Sequence, residues 1–234
     1  MSYGNYLYFT KEIMFHPSNI SDFQKKSWAD LYAWCVWKTS LPKDSEIYKL
    51  TVLLAEILVE NNIWILHWWY EDGKWGGTMQ AYAEWANNII ERKRLSKYYN
   101  IWIPEDRFDK KRWIWDRTKF DTQFVDPLLH MDIRCGVLVD SCDFLVVNPL
   151  AGNWTLREVF TMYERNDIHR PWNLGEWKIS PIVFYWENWK NLFDVLNNEF
   201  ATGIKVGEDK NLFFVSSIVE FKETIVYLKS IMNK

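Results

Sequence analysis

The chain contains no apolar run of the roughly 18 residues needed to cross a bilayer, and its opening stretch MSYGNYLYFTKEIMF lacks the layout of a secretory signal. A soluble, cytoplasmic protein is the expectation. Cysteine is scarce: Cys35, Cys135 and Cys142 are odd in number and show no CxxC spacing, which argues against a disulfide framework and for a reducing compartment. Histidine is scarce too, and His16, His130 and His169 share no metal-ligand spacing, so neither a metal nor another cofactor is expected. There is no surplus of positive charge. With 28 Lys and Arg against 31 Asp and Glu, a net charge of -3 gives no electrostatic footprint for duplex nucleic acid. Only 9 Gly and 7 Pro in 234 residues exclude a low-complexity chain, and the length suits one large α/β domain with a substantial core.

Aromatic residues, by contrast, are abundant: 16 Trp, 12 Tyr and 14 Phe. Trp fills cores and interfaces and also stacks on bases, so both uses stay open.

From about residue 31 onward, short apolar runs alternate with amphipathic segments, the pattern of βαβ units on a mostly parallel, doubly wound sheet with helices on both faces. Residues 1–30 stand apart as an amino-terminal extension packing on the sheet or on a second subunit, and residues 31–234 form the α/β domain. The strands are expected at 31–37, 63–68, 100–103, 144–147, 182–186 and 211–215, six in all. Helices are expected at 44–60, 78–94, 126–141, 155–165, 188–199 and 218–230, with insertions at 105–124 and 169–180. The second insertion, with Trp172 and Trp177 around Gly175, is placed to act as a lid or a partner contact.

The stretch from Met131 to Ile168 carries the functional signal. Phe144 to Val147 is short, apolar and ends in Asn-Pro, as a parallel strand covered on both faces should. A loop follows, and Thr155 with Glu158 three residues on has capping-box spacing. Ligands of open α/β sheets bind just outside the carboxyl ends of the strands. Gly152, Asn153, Trp154 and Thr155 are therefore expected to bind ligand, their amides cradling an anionic group at a helix amino terminus. Gly76, Gly77 and Thr78 open another expected helix, and the aromatic cluster Trp64, Trp68, Trp69 and Tyr70 could sandwich a base beside Glu71 and Asp72, although an aromatic cluster and a Glu-Asp-Gly turn also occur without a ligand. Arg107 to Lys119 mixes cations with Trp and reads as a solvated insertion or a phosphate contact.

In order and spacing, these segments resemble the lysine-decarboxylase-like LOG phosphoribohydrolases and, more broadly, the SLOG superfamily. The resemblance is carried by Met131-Asp-Ile-Arg134-Cys135, by Cys142-Asp143-Phe144-Leu145-Val146, by Pro149 to Glu158 against the family's PGGxGTxxE, and by Ser180-Pro181-Ile182-Val183. Upstream, Lys43-Asp44, Gly77-Thr78-Met79-Gln80-Ala81 and Asn100 to Pro104 match further pieces. The resemblance implies a Rossmann-like fold, a homodimer, a nucleotide or nucleoside as partner, and action at an N-glycosidic bond. It places Arg134 and Glu158 in the active site, Glu158 at the ribose and Arg134 holding a phosphate or sugar. Leu150-Ala151 replace the family's paired glycines, and Cys135 stands where a lysine is usual. Nucleoside 2-deoxyribosyltransferases offer a similar turn in which the glutamate is a nucleophile. A nucleotide-binding sensor without turnover is a further alternative, as is a protein whose Trp-rich surface binds another protein.

Overall fold

The computed structural model describes residues 29–36, 41–67, 100–102, 122–124, 131–150, 152–172, 179–200 and 209–232. In chain order these hold β1 (Leu31–Val36), α1 (Glu46–Glu60), β2 (Ile63–His67), β3 (Asn100–Trp102), β4 (Thr122–Phe124), α2 (Met131–Ser141), β5 (Phe144–Val147), α3 (Asn153–Trp172), β6 (Ile182–Tyr185), α4 (Asn188–Phe200), β7 (Leu212–Val215) and α5 (Ile218–Met232). The fold is a Rossmann-like, doubly wound α/β sheet in the order β4-β3-β2-β1-β5-β6-β7, and every strand pair is parallel.

The central strands β1, β5 and β6 are buried almost throughout, as strands covered on both faces must be. In register, Val36, Val147, Phe184 and Phe214 lie side by side on one face of the sheet, and Cys35, Val146, Val183 and Phe213 on the other. The first face is covered by α3 and α4. Phe184 packs on Trp189 and Phe193 of α4, and Phe193 meets Phe160 and Tyr163 of α3. The second face carries α5, through Tyr185 on Phe221 and Phe213 on Tyr227. There α1 lies alongside α5, since Lys229 donates to the carbonyl of Asn61, the carboxyl cap of α1. All three cysteines are buried in this core.

Two differences from the sequence reading have clear causes. The described residues form seven strands where six were expected, because Thr122–Phe124 adds to the edge of β3 from inside the expected insertion. A three-residue strand with two polar residues carries no pattern long enough to read. Second, α3 runs from Asn153 to Trp172, longer at both ends than 155–165, so its final turns occupy part of the expected lid. Asn166 does not end it. Its side-chain amide donates to the Ser180 carbonyl and accepts from the Ser180 amide, so it makes no competing bond with its own helix backbone. The expected helix at 78–94, the extension at 1–28 and the Arg107 to Lys119 stretch lie outside the described residues. No described helix is long and apolar enough to cross a membrane.

Candidate functional site

The strand order reverses between β1 and β5. The chain leaves β1 for α1 on one face and leaves β5 for α3 on the other, which opens a crevice at their carboxyl ends. Asn148, the first residue after β5, stands in it. Its amide donates to the Val36 carbonyl at 3.2 Å, closing the end of β1. Its carbonyl accepts from the indole Nε1 of Trp189 at 3.2 Å, which ties the start of α4 to the loop. Its side-chain Nδ2 donates to Thr51 Oγ1 on α1 at 2.8 Å. The Thr51 hydroxyl proton already goes to the Ile47 carbonyl, so it is the nitrogen of the Asn148 amide that must face Thr51. Among the described residues, Asn148 Oδ1 has no hydrogen-bond partner although the residue is only 1% exposed. Leaving such an acceptor unsatisfied costs about 1–3 kcal/mol. A buried, rigidly held acceptor at a switch point is what a ligand N–H or O–H would use. By sequence alone Asn148 is only a loop residue. The one signal for it is an Asn ending an otherwise apolar strand.

The expected ligand loop continues through Gly152 into α3. The carbonyl of Gly152 accepts the first helical bond, from Leu156, so the helix is already under way at Thr155. Thr155 is therefore not an amino-terminal cap, and its expected capping box with Glu158 does not form the helix start. Instead Thr155, Glu158, Val159, Met162 and Asn166 make one stripe toward the sheet, with Thr155 1% and Glu158 6% exposed. No acidic residue occupies the first turn, which leaves the positive end of the helix dipole uncompensated by its own side chains. Among the described residues, a Cβ at Gly152 would meet nothing within 4 Å. Asn153 and Trp154 are exposed, Trp154 standing out from the helix start.

Arg134 lies in the first turn of α2, which packs beside α3; Arg165 of α3 pairs with Asp140 of α2. The backbone of α2 thus starts at the same end of the sheet as the turn that carries Glu158, and the Arg134 side chain lies outside the described residues, as do Trp69, Glu71, Gly76, Gly77 and Thr78.

A second opening follows the next two strands. Tyr185, Trp186, Glu187 and Ser216 line a cleft of about 210 Å³ at the carboxyl ends of β6 and β7. Trp186 has φ 106°, a backbone conformation that side-chain-bearing residues rarely adopt, and it is held there by donating to the Val215 carbonyl at 2.7 Å. Below it, Ser216 donates through both its amide and its hydroxyl to Glu220, and the amide of Glu220 donates to Ser217 Oγ. The two bonds from Ser216 hold the Glu220 carboxyl below its ordinary value. Burial, reinforced by the Glu220 charge, pushes the Tyr185 phenol up.

No family model matches the chain, and no curated protein does. Among solved structures, it is similar to the molybdenum cofactor binding protein from the phototrophic bacterium Rippkaea orientalis, with TM-score 0.49 and 16% identity over 86% of this chain and 95% of that one.

Proposed function

We propose that this chain binds a nucleotide or nucleoside in the crevice between β1 and β5 and acts on its N-glycosidic bond, by hydrolysis or by transfer. The observation that carries the reading is the position of Glu158. A glutamate that only caps a helix faces water, whereas this one is buried beside Thr155 on the sheet-facing stripe, next to the ligand loop. A carboxylate there can stabilise the positive charge that develops on a ribose as the bond to the base breaks, or position an attacking water. Asn148 Oδ1 accepts a hydrogen bond from the ligand, and the amides at the start of α3 receive its anionic or hydroxyl groups. Arg134 supplies the cation for phosphate or sugar from α2, and a homodimer completes the proposal.

The test is incubation with a panel of nucleoside monophosphates and nucleosides, followed by chromatography for free base. Release by the wild type and its abolition in Glu158→Gln support the enzyme. Intact ligand together with a raised melting temperature supports a second reading, binding without turnover. That reading is favoured by Leu150 and Trp154, bulky where a phosphate loop has glycines. No release and no thermal shift with any nucleotide or nucleoside overturns both.

A further inference from the structure

We infer that the cleft at the ends of β6 and β7 is a base subsite, in which an amino-bearing planar heterocycle, the base of a nucleoside, stacks on Trp186. This deepens the proposed function and rests on it. Trp186 holds a large apolar ring 43% exposed at a backbone angle that strains any residue but glycine. Strain of this kind persists where the surroundings over-determine it, and it gathers at ligand clamps. The indole face offers stacking. Beside it the Glu187 carboxylate and Ser216 Oγ, whose proton goes to Glu220, accept, while the Tyr185 phenol can donate as well as accept. Acceptors select a ligand edge rich in N–H, such as an exocyclic amino group. Two carboxylates, Glu187 and Glu220, disfavour phosphate here, so the anionic end of a nucleotide belongs elsewhere. The volume, about 210 Å³, is below the roughly 300 Å³ at which whole-ligand pockets begin, and suits one ring system. Neighbouring strands lie about 4.8 Å apart, so the loop after β5 and this cleft are separated by on the order of 10 Å. The ribose then lies toward the loop after β5 and the base on Trp186.

The test is calorimetric titration of the full chain with adenosine, cytidine, uridine and ribose 5-phosphate, in the wild type, Trp186→Gly, Trp186→Phe and Glu187→Gln. Adenosine and cytidine should bind about tenfold or more weaker to Trp186→Gly and nearly as well to Trp186→Phe. Glu187→Gln should weaken adenosine and cytidine but leave uridine, which lacks the amino group, unchanged. Ribose 5-phosphate should bind all four alike. Because glycine suits φ 106°, Trp186→Gly should melt no lower than the wild type. Nucleoside affinity unchanged in both Trp186→Gly and Glu187→Gln overturns the subsite and leaves the proposed function standing. Failure of every nucleoside and of ribose 5-phosphate to bind the wild type removes both. A melting temperature that falls in Trp186→Gly while affinity holds makes Trp186 a packing residue and also overturns the subsite.

Discussion

Two helices of this chain begin with the same four-residue spacing, Thr155-x-x-Glu158 in α3 and Ser217-x-x-Glu220 in α5, and the fold uses them in opposite ways. In α5 the spacing forms a cap. The Glu220 amide donates to Ser217 Oγ, and the Glu220 carboxylate, exposed to water, accepts from Ser216. In α3 the helix starts at Asn153, so the same pair falls inside the first turns and is turned toward the sheet, buried. The difference comes from what precedes each helix. β7 runs straight into Ser216-Ser217, leaving those two residues to satisfy the first amides of α5. β5 is followed by a loop from Asn148 to Gly152, which lets the helix begin two residues early and rotates Thr155 and Glu158 inward. One spacing thus gives a surface cap beside the outer strand β7 and a buried polar pair at the switch point.

The largest expected effect breaks the comparison at the chemistry. Glu158→Gln should lower base release by about a hundredfold or more, the usual loss when a proton-handling or charge-stabilising carboxylate is removed. Glu220→Gln should leave release unchanged. Initial rates measured for both variants decide it. Equal losses, or a loss in Glu158→Gln no greater than its unfolded fraction, would reduce α3 to a buried version of α5.

Next in size is the support of the switch point. Thr51→Val removes the acceptor that holds Asn148 Nδ2 and leaves that buried donor without its partner, at a cost of about 1–3 kcal/mol. Urea unfolding should show a lower midpoint with an unchanged slope. Ligand affinity should fall as well, since Asn148 Oδ1 is no longer aimed. A smaller loss is expected on the α5 side. Ser217→Ala removes the cap oxygen and should cost about 1 kcal/mol, a fall in melting temperature of about 2–4 °C for a chain of this length, with affinity untouched.

Much of the sheet was legible in the residues, because β-branched and aromatic runs of four or more bounded by turn residues have few other readings. Phe144 to Val147 is the clearest, matching the observed strand residue for residue. Thr122–Phe124 was not legible, since three residues at a sheet edge bury too little to leave a pattern. After β5, the loop and the helix that follows it were readable and the local geometry was not. Ser/Thr-x-x-Glu announces a helix start, yet which residue begins the helix depends on the loop before it, and in α3 the loop moved the start to Asn153. The roles proposed for Asn148 and Trp186 rest on tertiary facts. The first is a loop acceptor left unpaired among the described residues because the Thr51 hydroxyl of α1 takes its amide nitrogen, and the second has a left-handed backbone angle that no composition signals for Trp.

The smallest effect sharpens the comparison through pH. The bonds from Ser216 and Ser217 hold the Glu220 carboxyl below its ordinary value of 4.5, so the folded state favours its charged form more than the unfolded state does. A depressed folded value adds stability that is complete above the ordinary value and is lost as pH falls through the depressed one. At neutral pH, Glu220→Gln should therefore melt below the wild type. The gap should stay constant down to about pH 5, narrow through the acid range and close once the wild-type carboxyl is protonated. Melting curves of the two proteins between pH 7 and pH 3 test this. A gap that does not change with pH would mean that the side chain, and not its charge, secures the start of α5, and the contrast with α3 would then rest on burial alone.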